Sequence, residues 1–140
     1  MKTITLFTLG KIREDWLKEL IQKYLKRLKN DLSFQWVQVK SESGLLDKTK
    51  EIANVYCLDA LGNTMSSEAF SELLESHLKE GNAKVAFIIG GPEGLSDEIK
   101  QKFPLISFSP MTFTSQITTL LLIEQIYRAF EISKGSKYHK

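Results

Sequence analysis

The run Lys84-Val85-Ala86-Phe87-Ile88-Ile89 is of strand length, near-continuously apolar, and ends in Gly90-Gly91-Pro92-Glu93-Gly94. A strand that is apolar on successive residues presents greasy side chains to both faces of its sheet, so both faces need cover. That is the situation of a parallel sheet flanked by helices, and not of an antiparallel sheet with one wet side. The remaining segments must then supply further strands and the helices that cover them.

They alternate as this requires. Thr3 to Leu9 alternates apolar and hydroxyl residues before Gly10, the pattern of a half-buried strand ended by a turn. Leu17, Leu20, Ile21, Tyr24, Leu25 and Leu28 then fall on one face of a helix whose other faces carry Lys18, Lys23, Lys26, Arg27 and Lys29. These lysines read as a solvated face, with RNA contact as the alternative. Phe34 to Val39 alternates as a second strand, with Phe34, Trp36 and Gln38 on one side. The polar stretch after it leaves room for a short helix around Leu45 to Ile52. Asn54 to Asp59 reads as a buried strand running into a Gly62-Asn63 turn, and Ser66 is placed to cap a helix with Phe70, Leu73, Leu74 and Leu78 as its stripe. Gly81-Asn82 is expected to stop that helix by adopting positive φ. Ser96-Asp97-Glu98 opens a short helix that must end near Phe103, because Pro104 disfavours helical geometry in the residue before it. Leu105 to Ser109 is a last strand, and Ser115 to Ser133 a last helix, apolar over much of its circumference between Ile117 and Ile126. Such a helix lies under the sheet or against a partner subunit. The fold class is α/β, a mostly parallel sheet flanked by helices, in one domain over residues 1–140.

Composition excludes more than it identifies. A chain with 42% hydrophobic and 26% charged residues is neither disordered nor fibrous, and a net charge of +2 does not by itself indicate nucleic acid. The single cysteine, Cys57, rules out an internal disulfide and a cysteine-rich metal site, and it suits a cytoplasmic protein. No metal is expected. No signal peptide is indicated, and Leu120 to Ile123 is far shorter than the roughly 20 apolar residues of a membrane span.

Ligands of parallel α/β sheets bind beyond the C-terminal ends of the strands. Three loops follow strands there: Asp59-Ala60-Leu61-Gly62, Gly90-Gly91-Pro92-Glu93-Gly94 and Pro110-Met111-Thr112-Phe113-Thr114. If their strands are neighbours, the loops converge on one pocket with apolar walls from Leu58, Met111 and Phe113 and backbone groups able to bind an adenine and a ribose. No lysine or arginine sits in any of the three, which favours a neutral or cationic nucleoside over a triphosphate. The glycine spacing is neither that of a dinucleotide site nor that of a P-loop.

Four segments in order, Ile89-Gly90-Gly91-Pro92-Glu93-Gly94-Leu95, Ser107 to Phe113, Glu124-Gln125-Ile126-Tyr127-Arg128-Ala129-Phe130 and Tyr138-His139-Lys140, resemble the ribosomal RNA large subunit methyltransferase H family of the SPOUT superfamily. Leu9-Gly10-Lys11 and the first helix extend the resemblance almost end to end. It implies an S-adenosylmethionine-dependent methyltransferase acting on N3 of a pseudouridine in large-subunit ribosomal RNA on the ribosome, a homodimer, and a C-terminal trefoil knot. The cofactor contacts it implies are Leu58, Gly90, Phe108, Ser109, Pro110, Met111, Thr112 and Phe113, which fall on the three loops.

Methyl transfer to a ring nitrogen needs alignment and a destination for the N3 proton. With the resemblance in place, the candidates are His139 as base or orienting group, and Arg128 and Tyr138 as residues that position the RNA. A structural ion pair with a glutamate is the competing reading for Arg128. His77, on the middle amphipathic helix, is assigned no role. The family often carries Pro-His and, four residues after that histidine, arginine, where this chain has Thr114-Ser115 and Thr119. Two alternatives therefore stand beside the enzyme: a non-catalytic ribosome-binding or assembly protein of the same fold, and a small-molecule enzyme whose glycine loop holds a phosphate.

Overall fold

The structure, a computed structural model, describes residues 2–140. Its elements are β1 (Thr3–Leu9), α1 (Asp15–Leu28), β2 (Ser33–Val39), α2 (Leu45–Lys48), β3 (Asn54–Thr64), α3 (Ser67–His77), β4 (Lys84–Ile89), α4 (Asp97–Lys102), β5 (Leu105–Ser107) and α5 (Ser115–Lys134). The strands form one sheet in the order β2-β1-β4-β3-β5, and every pairing is parallel.

β4 lies at the centre, and its side chains alternate between two cores as a strand's period of two requires. Val85, Phe87 and Ile89 pack with Leu17, Ile21, Phe70, Leu74, Leu122 and Ile126, so α1, α3 and α5 cover one face. Ala86 and Ile88 pack with Leu45, Val55, Cys57, Leu95 and Ile99, so α2 and α4 cover the other. This is why the segment can be apolar throughout. Polar groups beside the core are paired: the Trp36 indole N–H donates to Thr8 Oγ1 at 2.9 Å, holding β2 to β1.

Three helices start where a hydroxyl can accept an otherwise unpaired N–H: Ser66 from Ala69, Ser96 from Ile99 and Thr114 from Ile117. Phe103, before Pro104, is extended at φ −125° and ψ 150°, and α4 ends there as expected.

The sequence reading is corrected in detail. No turn interrupts the chain at Gly62-Asn63; β3 runs on to Thr64, and β5 pairs with it twice, Leu58 and Asn63 both facing Ile106. Residues 59–62 form a bulge between those pairings, and a Cβ on Gly62 would stand 2.6 Å from the Leu105 carbonyl carbon, so this glycine permits close backbone approach. α3 ends at His77, ahead of Gly81, and the positive φ belongs to Asn82, at 64°. The short helix covers only Leu45–Lys48, and β5 stops at Ser107. α5 is not enclosed: Thr119, Leu122, Ile123, Ile126 and Ala129 are buried, whereas Ile117, Leu120 and Leu121 remain half-exposed.

Candidate active site

Parallel pairing sets β4, β3 and β5 side by side, and the start of the bulge within β3 together with the segments that leave β4 and β5 encloses a cavity of about 610 Å³. Leu58, Gly90, Phe108, Ser109, Met111, Thr112 and Phe113 all line it; of the expected contacts only Pro110 does not. The three segments therefore meet, with Asp59 and Ala60 contributing from a bulge within β3 and not from a loop beyond it.

Each loop is held by short-range bonds. Gly94 N–H donates to the Gly91 carbonyl at 2.9 Å, closing the glycine loop on itself. A Cβ on Gly90 would stand 2.8 Å from the Gly94 carbonyl carbon, so no larger residue fits without moving the loop. Beyond β5, the Ser107 hydroxyl donates to the Ser109 carbonyl at 2.7 Å and accepts the Ser109 N–H at 3.1 Å. Ser109 Oγ in turn accepts the Met111 N–H at 3.0 Å, which bends residues 107–111 around the cavity.

Asp59 is the one ionisable side chain among the described lining residues, and it is compensated. Its carboxylate accepts the Leu61 N–H at 2.9 Å and lies 3.0 Å from Lys100 Nζ on α4. Burial pushes the Asp59 carboxyl upward, but the Leu61 N–H and the Lys100 ammonium outweigh it and hold it below the usual carboxylate range. The same hydrogen bond to Asp59 raises Lys100. The cavity is thus nearly neutral, apolar on its walls, and rich in backbone donors and acceptors. Cys57 behind it is buried, and burial with the nearby Asp59 charge pushes its thiol up to about 12, so it stays protonated.

Arg128, Tyr138 and His139 form a second cluster that does not line the cavity. Gly135 ends α5 with φ 71°, a left-handed turn that sends the tail back along the helix. Tyr138 then meets Tyr127 edge-on at 4.8 Å and donates its hydroxyl to Glu124 Oε2 at 2.7 Å. Arg128 donates to the same Glu124 oxygen at 3.0 Å and lies over the Tyr138 ring at 4.8 Å. Glu124 raises Arg128, while burial together with hydrogen bonds to Tyr24 and Glu124 raises Tyr138, so both keep their protons. His139 Nδ1 lies 2.9 Å from Arg128 Nη1, and Nε2 meets Glu68. A guanidinium only donates, so Nδ1 accepts and Nε2 carries the proton given to Glu68.

The ion pair weighed for Arg128 is therefore present, and it coexists with the contact to His139. The i,i+4 spacing of Glu124 and Arg128 was the sequence signal for it. Glu68 and Lys100 carried no comparable signal, because their partners His139 and Asp59 lie far away in the chain. His77 sits with Nε2 2.6 Å from the Tyr56 hydroxyl. Ser115 lines the cavity, whereas Thr119 is buried with its hydroxyl donated to the Ser115 carbonyl at 2.9 Å. A smaller cavity of about 260 Å³ lies against Phe108 and Phe113 and reaches Gln125, which bonds Ser67 at 2.7 Å and Glu124 at 2.8 Å. This chain of contacts joins the pocket wall to the tail cluster.

The profile of a family described as "Predicted SPOUT methyltransferase" matches residues 1–139. The chain is 43% identical over 140 residues to a Protochlamydia amoebophila protein named ribosomal RNA large subunit methyltransferase H, covering 100% of both. It is 38% identical over 157 aligned positions to a Bacillus cytotoxicus protein of the same name, covering 98% of this chain and 99% of that one. Among solved structures, a probable methylase family protein from Haemophilus influenzae superposes with a TM-score of 0.62 at 13% identity, covering 99% of this chain and 70% of the other; this likeness concerns the fold alone.

Proposed function

The chain belongs to the SPOUT methyltransferase family, and from that premise we propose that it is an S-adenosylmethionine-dependent enzyme that methylates N3 of a pseudouridine in large-subunit ribosomal RNA on the ribosome. The observation that carries the reading is the joint placement of Leu58, Gly90, Phe108, Ser109 and residues 111–113 around one cavity, whose single ionisable side chain among the described lining residues, Asp59, is paired with Lys100. A nucleoside bearing a sulfonium needs apolar walls, backbone partners and no competing cation, and the cavity offers these. A nucleoside triphosphate would face Asp59 with no lysine or arginine among the lining residues.

S-adenosylmethionine, when bound, supplies a methyl group already activated on sulfur, so the chain's own work is to hold and to exclude. Leu58, Met111 and Phe113 wall the cavity, and the Gly90 backbone offers hydrogen bonds. His139 is the group we assign to orient the base or take its N3 proton, with Arg128 and Tyr138 positioning RNA. Because this trio lies outside the cavity of its own subunit, the proposed site is completed by the tail of a second copy. Exposed apolar side chains support a homodimer: Leu61 is 87%, Met111 73% and Phe113 38% exposed, and Ile117, Leu120 and Leu121 on α5 are half-exposed. The remaining parts of the proposal are one domain over residues 1–140, a trefoil knot at the cavity and a cytoplasmic protein. No helix of the described residues is long and apolar enough to cross a membrane.

Ser115 and Thr119 favour a second reading, a ribosome-binding relative without chemistry, since neither brings an imidazole or guanidinium to the cavity. The two are separated by incubating the protein with labelled S-adenosylmethionine and ribosomes from cells that lack it. Label on a pseudouridine of the large-subunit RNA is expected. Intact cofactor binding without incorporation would favour the second reading.

A further inference from the structure

A base that enters this cavity arrives with backbone phosphates on either side, and the bulge of β3 and the loops leaving β4 and β5 carry no cation to meet them. Arg128 and Lys134 are held by Glu124 and Asp31, and Lys100 by Asp59. The loop after β1 is different. It leaves the sheet at the same end, and the Leu9 carbonyl oxygen would lie 2.8 Å from a Cβ on Gly91, so it abuts the glycine loop. The Arg13 N–H donates to Gln116 Oε1 at 3.0 Å, and Gln116 lines the cavity, so the loop is fastened to the rim. Lys11 and Arg13 are exposed there, and neither side chain has an acidic partner among the described residues. The acids that follow belong to the start of α1: Glu14 is its N-cap, and Asp15 lies 4.0 Å from Lys18.

We propose that Lys11 and Arg13 form a docking surface for the phosphate backbone of the substrate RNA at the cavity mouth. The assignment rests on the methyltransferase reading for its choice of RNA, but it concerns residues outside the cofactor cavity and is separately testable. The tether uses the main chain of Arg13, so its guanidinium is free to move onto a phosphate while the loop stays in place. Lysine and arginine act here as charges without base readout, which makes the contact insensitive to sequence and sensitive to salt.

The test is binding of the full-length protein to protein-free large-subunit ribosomal RNA across a salt series. The K11Q/R13Q variant is compared with wild type and with K23Q/K26Q on α1. Loss of two phosphate contacts is expected to weaken binding about tenfold at physiological salt and to make the log–log salt slope shallower by about 1.4 to 1.8. Affinity for S-adenosylhomocysteine and the melting temperature should stay unchanged, and R13K in the K11 wild-type background should retain binding. Unchanged RNA affinity in K11Q/R13Q, or an equal loss in K23Q/K26Q, would overturn the assignment, as would binding competed only by ribosomal proteins. RNA binding lost in this way by a protein that transfers no methyl group would uphold the surface and refute the enzymatic reading instead.

Discussion

At Gly90 a side chain has no room, since its Cβ would meet the backbone of Gly94 at 2.8 Å. Gly90→Leu should therefore displace the loop and weaken S-adenosylhomocysteine binding at least tenfold or so, with the fold retained; calorimetry on a variant of unchanged circular dichroism checks this, and unaltered affinity would remove Gly90 from the site. Asp59 gives a pH test. Its folded value is depressed, so its contribution to stability is present above the ordinary carboxylate range and is lost as pH falls through the folded value. Lys100 is raised, so its contribution is present below the ordinary lysine range and lost as pH rises through its folded value. Asp59→Asn should lower the melting temperature at neutral pH and bring the two proteins together under acid. A constant difference down to strong acid would show that the pair does not link folding to protons. Neither Lys100 nor Glu68 could be matched to its partner from the sequence, because contacts between distant segments have no local period.

Among the elements, α5 and its ends carry the most consequence. Thr114→Ala removes the cap that accepts the Ile117 N–H and should cost about 1 kcal/mol in denaturant unfolding. Gly135 sits at φ 71°, where an alanine is strained by about 1 kcal/mol, and the turn there sets where Tyr138 and His139 land. Gly135→Ala should thus lower methyl transfer more than it lowers cofactor affinity, and equal effects on both would deny the tail a separate role. Periodicity predicted β1, α1, β2 and α3 because apolar faces are a local property, whereas α4 was read from its Ser96 cap and Pro104 and α2 only from the polar stretch after β2. It misplaced the chain at Gly62, where a turn and a bulged strand draw on the same residue type and only β5, arriving from residues 105–107, decides between them. The loops after β4 and β5 were readable because each follows a strand, and residues 59–62 join them as a bulge within β3. The wrapping of the tail onto Glu124 was not, since it depends on one left-handed residue.

For the molecule as a whole, the double-faced β4 is both the organising strand and the support of the site, since the glycine loop leaves its end. Phe87 is fully buried between Tyr56 and Phe70, and Phe87→Ala should cost about 3–5 kcal/mol in chemical denaturation, a large share of a domain's stability; a loss below about 1 kcal/mol would mean that the helix-covered face can collapse around the gap. The proposed reaction places a methyl group on the pairing edge of one ribosomal pseudouridine. Primer extension along large-subunit RNA tests it directly, since a methyl at N3 blocks pairing and stops the polymerase. Cells with the protein should show a stop at one pseudouridine that disappears on deletion of the gene and returns with the wild-type chain but not with Gly90→Leu. Identical extension with and without the gene would contradict the account.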